Sequence, residues 1–195
     1  MPKKSNTQTQ STLETHFTWY LNELFEAGII AEWTPQPRSY TLACKATYIY
    51  GEQLKTKVKQ VEAMIPELSQ HIYTPDFEIV WSPQAQGVFH TGLYSYKKAL
   101  TGCPFISLDK PCDTIRTSLI EIKPPKDRYN MIRVFGLNQR WMWQRHGIYV
   151  QKVVPERLFK ETFTPRRYLT CDVLTTRKRK IKYPVRSLAE YLETV

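Results

Sequence analysis

Three side chains in this sequence have the types and spacing to do chemistry together. Asp76 sits in Tyr73-Thr-Pro-Asp-Phe77, and Glu121 and Lys123 sit in Leu119-Ile-Glu-Ile-Lys123. Two carboxylates supply hard anionic oxygens, the donors that magnesium and manganese take while keeping several waters and accepting phosphate oxygens. A lysine beside them adds a group that can position or deprotonate a water. The chemistry that follows is metal-assisted hydrolysis of a phosphate ester, provided that the fold brings Asp76 to the other two.

The elements around these residues predict that meeting. Residues 118–123 read as a short strand, rich in β-branched residues and ended by Pro124-Pro125. Side chains two apart on a strand share a face, so Glu121 and Lys123 point one way while Ile120 and Ile122 point the other, into an apolar core. Residues 72–81 also read as extended: Pro75 excludes a helix, and Phe77, Ile79, Val80 and Trp81 favour a strand. Antiparallel pairing of the two strands sets Asp76 against Glu121. Without it, Asp76 is a turn residue after a proline and Glu121 with Lys123 an exposed strand pair; the residues alone leave both open. Forty-five positions separate Asp76 from Glu121, too many for a simple hairpin, so an insertion must lie between the strands.

Pro-Asp followed by Glu-x-Lys resembles the signature of the PD-(D/E)XK nuclease superfamily. The fuller Tyr-Thr-Pro-Asp-Phe with Glu-Ile-Lys-Pro is similar to transposon-encoded endonuclease subunits and phage-type resolvases within it. The resemblance follows the order of elements over residues 11–154, with about ten residues carrying specific identity. It implies a restriction-endonuclease-like core, a mixed central β-sheet flanked by helices in an α/β fold. It also implies a magnesium-dependent DNA endonuclease, with manganese able to substitute. Asp76, Glu121 and the backbone carbonyl of Ile122 would hold the metal and Lys123 would serve the attacking water. The implied substrates are transposon ends or branched DNA. The implied partners are DNA, a transposase or recombination protein, and a second copy in a homodimer.

Leu13, Phe17, Tyr20, Leu21, Leu24 and Phe25 recur at helical spacing before Gly28, which predicts an amphipathic helix over 11–27. Glu14 lies in its first turn. By resemblance it is a further acid facing the metal site; by local chemistry Ser11-Thr-Leu-Glu14 is a capping box, and the two roles are compatible. Beyond Pro125, apolar Met131, Val134, Phe135, Trp141 and Met142 predict a second helix that Gly147 stops, followed by a strand over 148–154. Strand, helix, strand implies a right-handed crossover onto a mixed sheet. Arg128, Arg133 and Arg140 on that helix are candidate DNA contacts, and Gln139 resembles polar residues that some superfamily members set near the scissile phosphate, or is simply solvated.

Elsewhere, 29–33 and 40–50 read as strands around the Pro35-Gln-Pro37 turn, 53–70 is ambiguous, and 82–113 is mostly loop with a short helix near 94–100. Tyr94, Tyr96, Lys97 and Lys98 there mix aromatic and basic groups, suited to a base and a phosphate or to a packed surface excursion. The expected organisation is an arm over 1–10 whose Lys3 and Lys4 reach phosphate, a nuclease domain over 11–163, and a basic extension over 164–195 ending in a small helix over 187–193. Arg177, Lys178, Arg179, Lys180 and Lys182 make that extension a candidate phosphate clamp. A net charge of +10 over 195 residues argues for a polyanionic partner. No apolar run reaches membrane-spanning length and Met1-Pro-Lys-Lys starts no apolar leader, so the expectation is a cytoplasmic protein, in the host-cell cytoplasm if phage-encoded, without membrane contact. Cys44, Cys103, Cys112 and Cys171 are read as free thiols, with zinc on Cys103, Cys112 and His90 as the weaker alternative. The competing function is a non-catalytic nucleic-acid-binding protein with a nuclease-like fold, which needs the charge but not Asp76, Glu121 and Lys123.

Overall fold

Ser11 opens the first helix as its position demands. Its hydroxyl accepts from the Glu14 amide at 3.3 Å, satisfying one of the donors that a helix start leaves unpaired. The computed structural model describes residues 11–93, 102–108, 116–126, 131–171 and 176–195. Helix α1 (Thr12–Glu26) buries Phe17, Tyr20, Leu21 and Leu24 along one stripe and ends at Gly28, whose φ of 70° suits a residue without a Cβ. The strands β1 (Ile30–Pro35), β2 (Tyr40–Ala43), β3 (Thr47–Gln53), β4 (Val58–Met64), β5 (His71–Tyr73) and β6 (Phe77–Trp81) follow. After β7 (His90–Gly92), β8 (Phe105–Ser107) and β9 (Arg116–Ile122) come α2 (Met131–His146), β10 (Val150–Val153), α3 (Pro155–Glu161) and α4 (Leu188–Thr194).

The centre is a four-stranded mixed sheet in the order β1-β6-β9-β10, with β10 parallel to β9 and the other pairs antiparallel. Helix α2 is the crossover between the two parallel strands, as the strand, helix, strand order predicts. On one face Phe77, Ile79, Trp81, Ile120 and Ile122 pack against Phe17, Tyr20, Leu21 and Leu24 of α1, Leu158 and Phe159 of α3, and Phe163. On the other face Leu119 and Val150 meet Phe135 and Met142 of α2, with Tyr40, Leu42 and Tyr73 from the two-stranded sheet β2-β5. Trp81 Nε1 donates to Ser118 Oγ at 2.8 Å and that hydroxyl donates to the Ile106 carbonyl at 2.7 Å, which ties β6, β9 and β8 together.

Several expectations are corrected. The strand predicted over 40–50 is two strands: Tyr40 and Leu42 are buried, every residue of β3 is exposed, and the chain turns away through 44–46. Residues 53–70, ambiguous from pattern, hold β4, which pairs with β3 in a ribbon of its own. The extended run 72–81 breaks at Thr74-Pro75-Asp76 into β5 and β6, which belong to different sheets, since a proline has no N–H to continue a ladder. Among the described residues of 82–113, β7 and β8 pair in parallel, so this stretch is less loop-like there than composition suggests. The helix expected near 94–100, with Tyr94, Tyr96, Lys97 and Lys98, lies outside the described residues, as do Lys3, Lys4, Cys112 and Arg128.

The described residues of 164–195 pack back onto the core that α1 covers. Tyr168 and Tyr191 are buried in it, and Ile181, Tyr183 and Leu188 pack against it. Arg179 within the basic run is anchored: its guanidinium lies 4.7 Å from the Tyr168 ring centroid, Nε donates to the Thr170 carbonyl at 3.0 Å, and Nη2 is 3.3 Å from His16 Nε2. Arg177, Lys178, Lys180 and Lys182 are exposed. Replacing Arg179 by Gln should therefore lower the melting temperature by roughly 2–6 °C, the equivalent of about 1–2 kcal/mol in a chain of this size. Replacing the four exposed residues together by Gln should leave it within about 2 °C. Equal effects of the two variants would show that Arg179 anchors nothing.

Candidate active site

The register of β6 on β9 builds the site. Phe77 pairs with Ile120, so the residue before Phe77 faces the residue after Ile120, and Asp76 stands across from Glu121 on the face of the sheet that carries Leu119. The Ile122 amide donates to Asp76 Oδ2 at 2.7 Å and fixes the carboxylate. Behind it, the Gln36 amide donates to the Asp76 carbonyl at 2.8 Å. Gln36 holds φ at 44°, a left-handed conformation that costs a residue with a Cβ about 1–2 kcal/mol.

Glu121 and Lys123 share one side of β9 and are only 8% and 7% exposed. Lys123 Nζ donates to Glu121 Oε1 at 2.7 Å, and the Lys123 ammonium lies 5.9 Å from the Phe135 ring centroid. The second oxygen, Oε2, accepts from the Tyr73 hydroxyl at 2.7 Å. Tyr73 comes from β5, where it pairs with Tyr40 of β2, so the small sheet covers the buried acid and supplies its partner. Tyr73 opens the Tyr-Thr-Pro-Asp-Phe motif, yet its spacing alone assigns it no role. The break at Pro75 defeats period-two counting from Asp76 back to Tyr73, and only the fold puts its hydroxyl on Glu121.

The two carboxylates are held differently. Both Glu121 oxygens have donors of their own. Asp76 is partly buried, and this desolvation raises its pKa to about 7; the charge of Glu121 adds to the rise, and so, less, does that of Glu14. The Ile122 amide and Lys123 oppose it. Burial, followed by the Glu121 charge, holds the Tyr73 hydroxyl well above the usual phenol range, so Tyr73 is a donor to Glu121 at every ordinary pH. A cluster with more negative charge than its surroundings solvate is one that a cation would relieve.

Glu14 is drawn to the helix start. Its Oε1 accepts from the Ser11 hydroxyl at 2.7 Å, while its own amide donates to that hydroxyl, a local clasp in which the Ser11 hydroxyl stands in for the Ser11 amide of a full capping box. Its charge is felt at Asp76. Among the described residues no three His, Cys, Asp or Glu side chains converge to hold a metal. The donors available at this site are therefore two carboxylates and backbone oxygens such as that of Ile122, a set that suits a cation keeping most of its own waters.

The other candidates fall elsewhere. Gln139 Nε2 donates to the Val150 carbonyl at 2.7 Å, so it pins the start of β10. Arg133 and Arg140 are exposed on α2. His90 stacks on Trp81 with centroids 5.1 Å apart and its Nδ1 is 3.1 Å from Ser107 Oγ, while the Cys103 thiol donates to the Gly87 carbonyl. No disulfide joins Cys44, Cys103 and Cys171. No described helix is long and apolar enough to cross a membrane.

Set against models of protein families, curated proteins and solved structures, the chain matches none. Its function rests on its own geometry.

The Asp76 shift has a signed consequence for stability. An unfolded aspartate titrates near ~3.9, so between about pH 4 and 7 the native state holds a proton that the unfolded state has lost, and stability falls as pH rises. The penalty is absent below about pH 4 and complete above about 7. Asp76→Asn keeps an acceptor for the Ile122 amide without the charge. In EDTA it should melt with the wild type near pH 4 and several degrees above it at pH 8. A variant that melts below the wild type at pH 8 would overturn the assignment.

Proposed function

We propose that this protein is a magnesium-dependent DNA endonuclease of restriction-endonuclease-like architecture. The observation that carries the reading is the register that sets Asp76 across from Glu121, with Lys123 on the same face and hydrogen-bonded to Glu121. Separated by forty-five residues, these three groups come to one spot at the end of a mixed sheet. Net charge supports a polyanionic substrate. The resemblance of the two motifs to PD-(D/E)XK nucleases supports the reaction, with transposon ends or branched DNA as substrate classes.

Asp76, Glu121 and the Ile122 carbonyl would hold magnesium, or manganese in its place, by donor type. When bound, such an ion lowers the pKa of water and offsets charge on a phosphate undergoing displacement. The chain's own residues do the rest. The Ile122 amide fixes Asp76 in one orientation. Tyr73 holds Glu121 by Oε2, so that its other oxygen is shared with Lys123. Lys123 would orient a water oxygen towards phosphorus; that water gives up one proton to solvent as its oxygen forms the new P–O bond, the bridging P–O ester bond breaks, and the leaving alkoxide takes one proton from solvent. The buried setting strengthens each of these contacts relative to water.

A second reading has one observation in its favour. Glu121, Lys123 and Tyr73 satisfy one another within the protein, as they would in a non-catalytic nucleic-acid-binding protein that keeps the fold. One assay separates the two: incubation with linear, branched and single-stranded DNA in magnesium, manganese, calcium or EDTA. Under the nuclease reading DNA is cut in magnesium and manganese only. Asp76→Ala and Lys123→Ala then lose on the order of 100-fold or more in rate, with circular dichroism unchanged. Binding of DNA without cutting in any metal would leave the second reading standing.

Tyr73→Phe and Glu14→Gln test the supporting groups. Loss of the Tyr73 hydroxyl should slow cleavage by roughly 10–100-fold, the usual cost of removing a partner behind a metal ligand. Glu14→Gln keeps an acceptor for Ser11 but removes the charge felt at Asp76, so activity should fall with little change in melting temperature. A fully active Glu14→Gln would confine Glu14 to its helix start.

A further inference from the structure

The ribbon of β3 and β4 stands outside both core clusters. Seven residue pairs run from Thr47↔Met64 at its base to Gln53↔Val58 at its tip, a length of roughly 20 Å at about 3.4 Å per residue. Every residue of β3 is exposed, and none between 44 and 70 belongs to either core cluster. Ile49 is 68% and Val58 60% exposed, with Tyr48, Tyr50 and Met64 also in solvent. A segment that contributes nothing to the core and displays apolar and aromatic side chains is shaped for something outside the chain.

Charge identifies the occupant. The tip carries Lys55, Lys57 and Lys59, and residues 53–61 contain no acid. Glu52 lies opposite Lys59 across the ladder, and Glu62 lies toward the base. Three cations at the end of a projecting ribbon repel a like-charged surface, a second copy's tip included, and attract phosphate. Tyr48, Tyr50 and Lys59 share a face by strand alternation, the tyrosine rings 5.9 Å apart. The major groove of B-form DNA admits a two-stranded ribbon and offers thymine methyls to apolar side chains, whereas the A-form groove of duplex RNA is too deep and narrow.

Placement ties the ribbon to the site. The Ile65 amide donates to the Ala46 carbonyl and the Ala46 amide to the Leu68 carbonyl, clasping the base. The chain enters from β2 and leaves into β5, the two strands whose sheet brings Tyr73 to Glu121. The ribbon is therefore rooted in the layer that closes the active site.

We propose that the β3–β4 ribbon is a DNA arm that enters the major groove beside the active site, with Lys55, Lys57 and Lys59 on the phosphates. This rests on the nucleic-acid reading above, and the test is chosen to fail separately from it. Binding of a 30-base-pair DNA duplex is followed by fluorescence anisotropy in EDTA over a range of salt, so no cleavage is needed. Replacing the three lysines by Gln should make the slope of log affinity against log salt shallower by roughly 3, with circular dichroism and melting temperature unchanged. Replacing them by Arg should retain the wild-type slope. The same Gln variant should leave the weaker binding of an RNA duplex unaltered.

An unchanged slope in a protein that does bind the DNA duplex overturns the arm and leaves the nuclease reading intact. Equal losses on DNA and RNA overturn groove entry. If Ile49→Ser converts a sedimenting dimer to monomer while the lysine variants bind DNA normally, the occupant is a second copy and the proposal is wrong. A wild type that binds no duplex at all sinks the nucleic-acid reading, and the arm with it.

Discussion

Antiparallel pairing of β6 with β9 in a single register is what brings Asp76 to Glu121 and Lys123. Slipped by one residue, it would turn Asp76 to the α1 face, among Phe17, Ile120 and Ile122, and separate it from Glu121. The register is held from both sides. Phe77, Ile79 and Trp81 are committed to the α1 core, the Trp81 indole reaches Ser118, and the Ile122 amide takes Asp76 itself. The same contacts that make the sheet stable therefore also place the site.

Burial divides the ionisable groups into two kinds. Glu121 and Lys123 are inaccessible but mutually satisfied, with Tyr73 completing the acid. Such a buried pair adds little net stability, because desolvation offsets the attraction, yet removing one member strands the other. Asp76 has a single amide and two acidic neighbours, which is why its ionisation is resisted. The site is thus internally satisfied at Glu121 and electrically unsettled at Asp76.

The sequence made the framework legible where one pattern ruled. Helix α1, strand β9, helix α2 and strand β10 each follow from a single period, a cap or a terminating proline or glycine, and the mixed sheet follows from their order. Patterning lost its hold where local and tertiary demands differ. Residues 40–50 alternate, but their alternation serves a buried strand first and a solvated one afterwards. Tyr73 lies three residues from Asp76 yet in another sheet, so no spacing rule links them. Arg179 looks like its neighbours in a basic run, and only the packing of Tyr168 and His16 distinguishes it.

The ribbon's isolation from the core also sets its motion. A lone two-stranded hairpin is marginally stable in water, and this one is held by its own ladder and a clasp at Ala46, Ile65 and Leu68. Its opening is a local event that leaves both cores intact, whereas the Asp76–Ile122 contact opens only when the central sheet does. On that ground amides from Thr47 to Met64 should exchange with solvent through local fraying, and those of β6 and β9 more slowly. Any ordering that a ligand imposes on the ribbon is therefore entropically local.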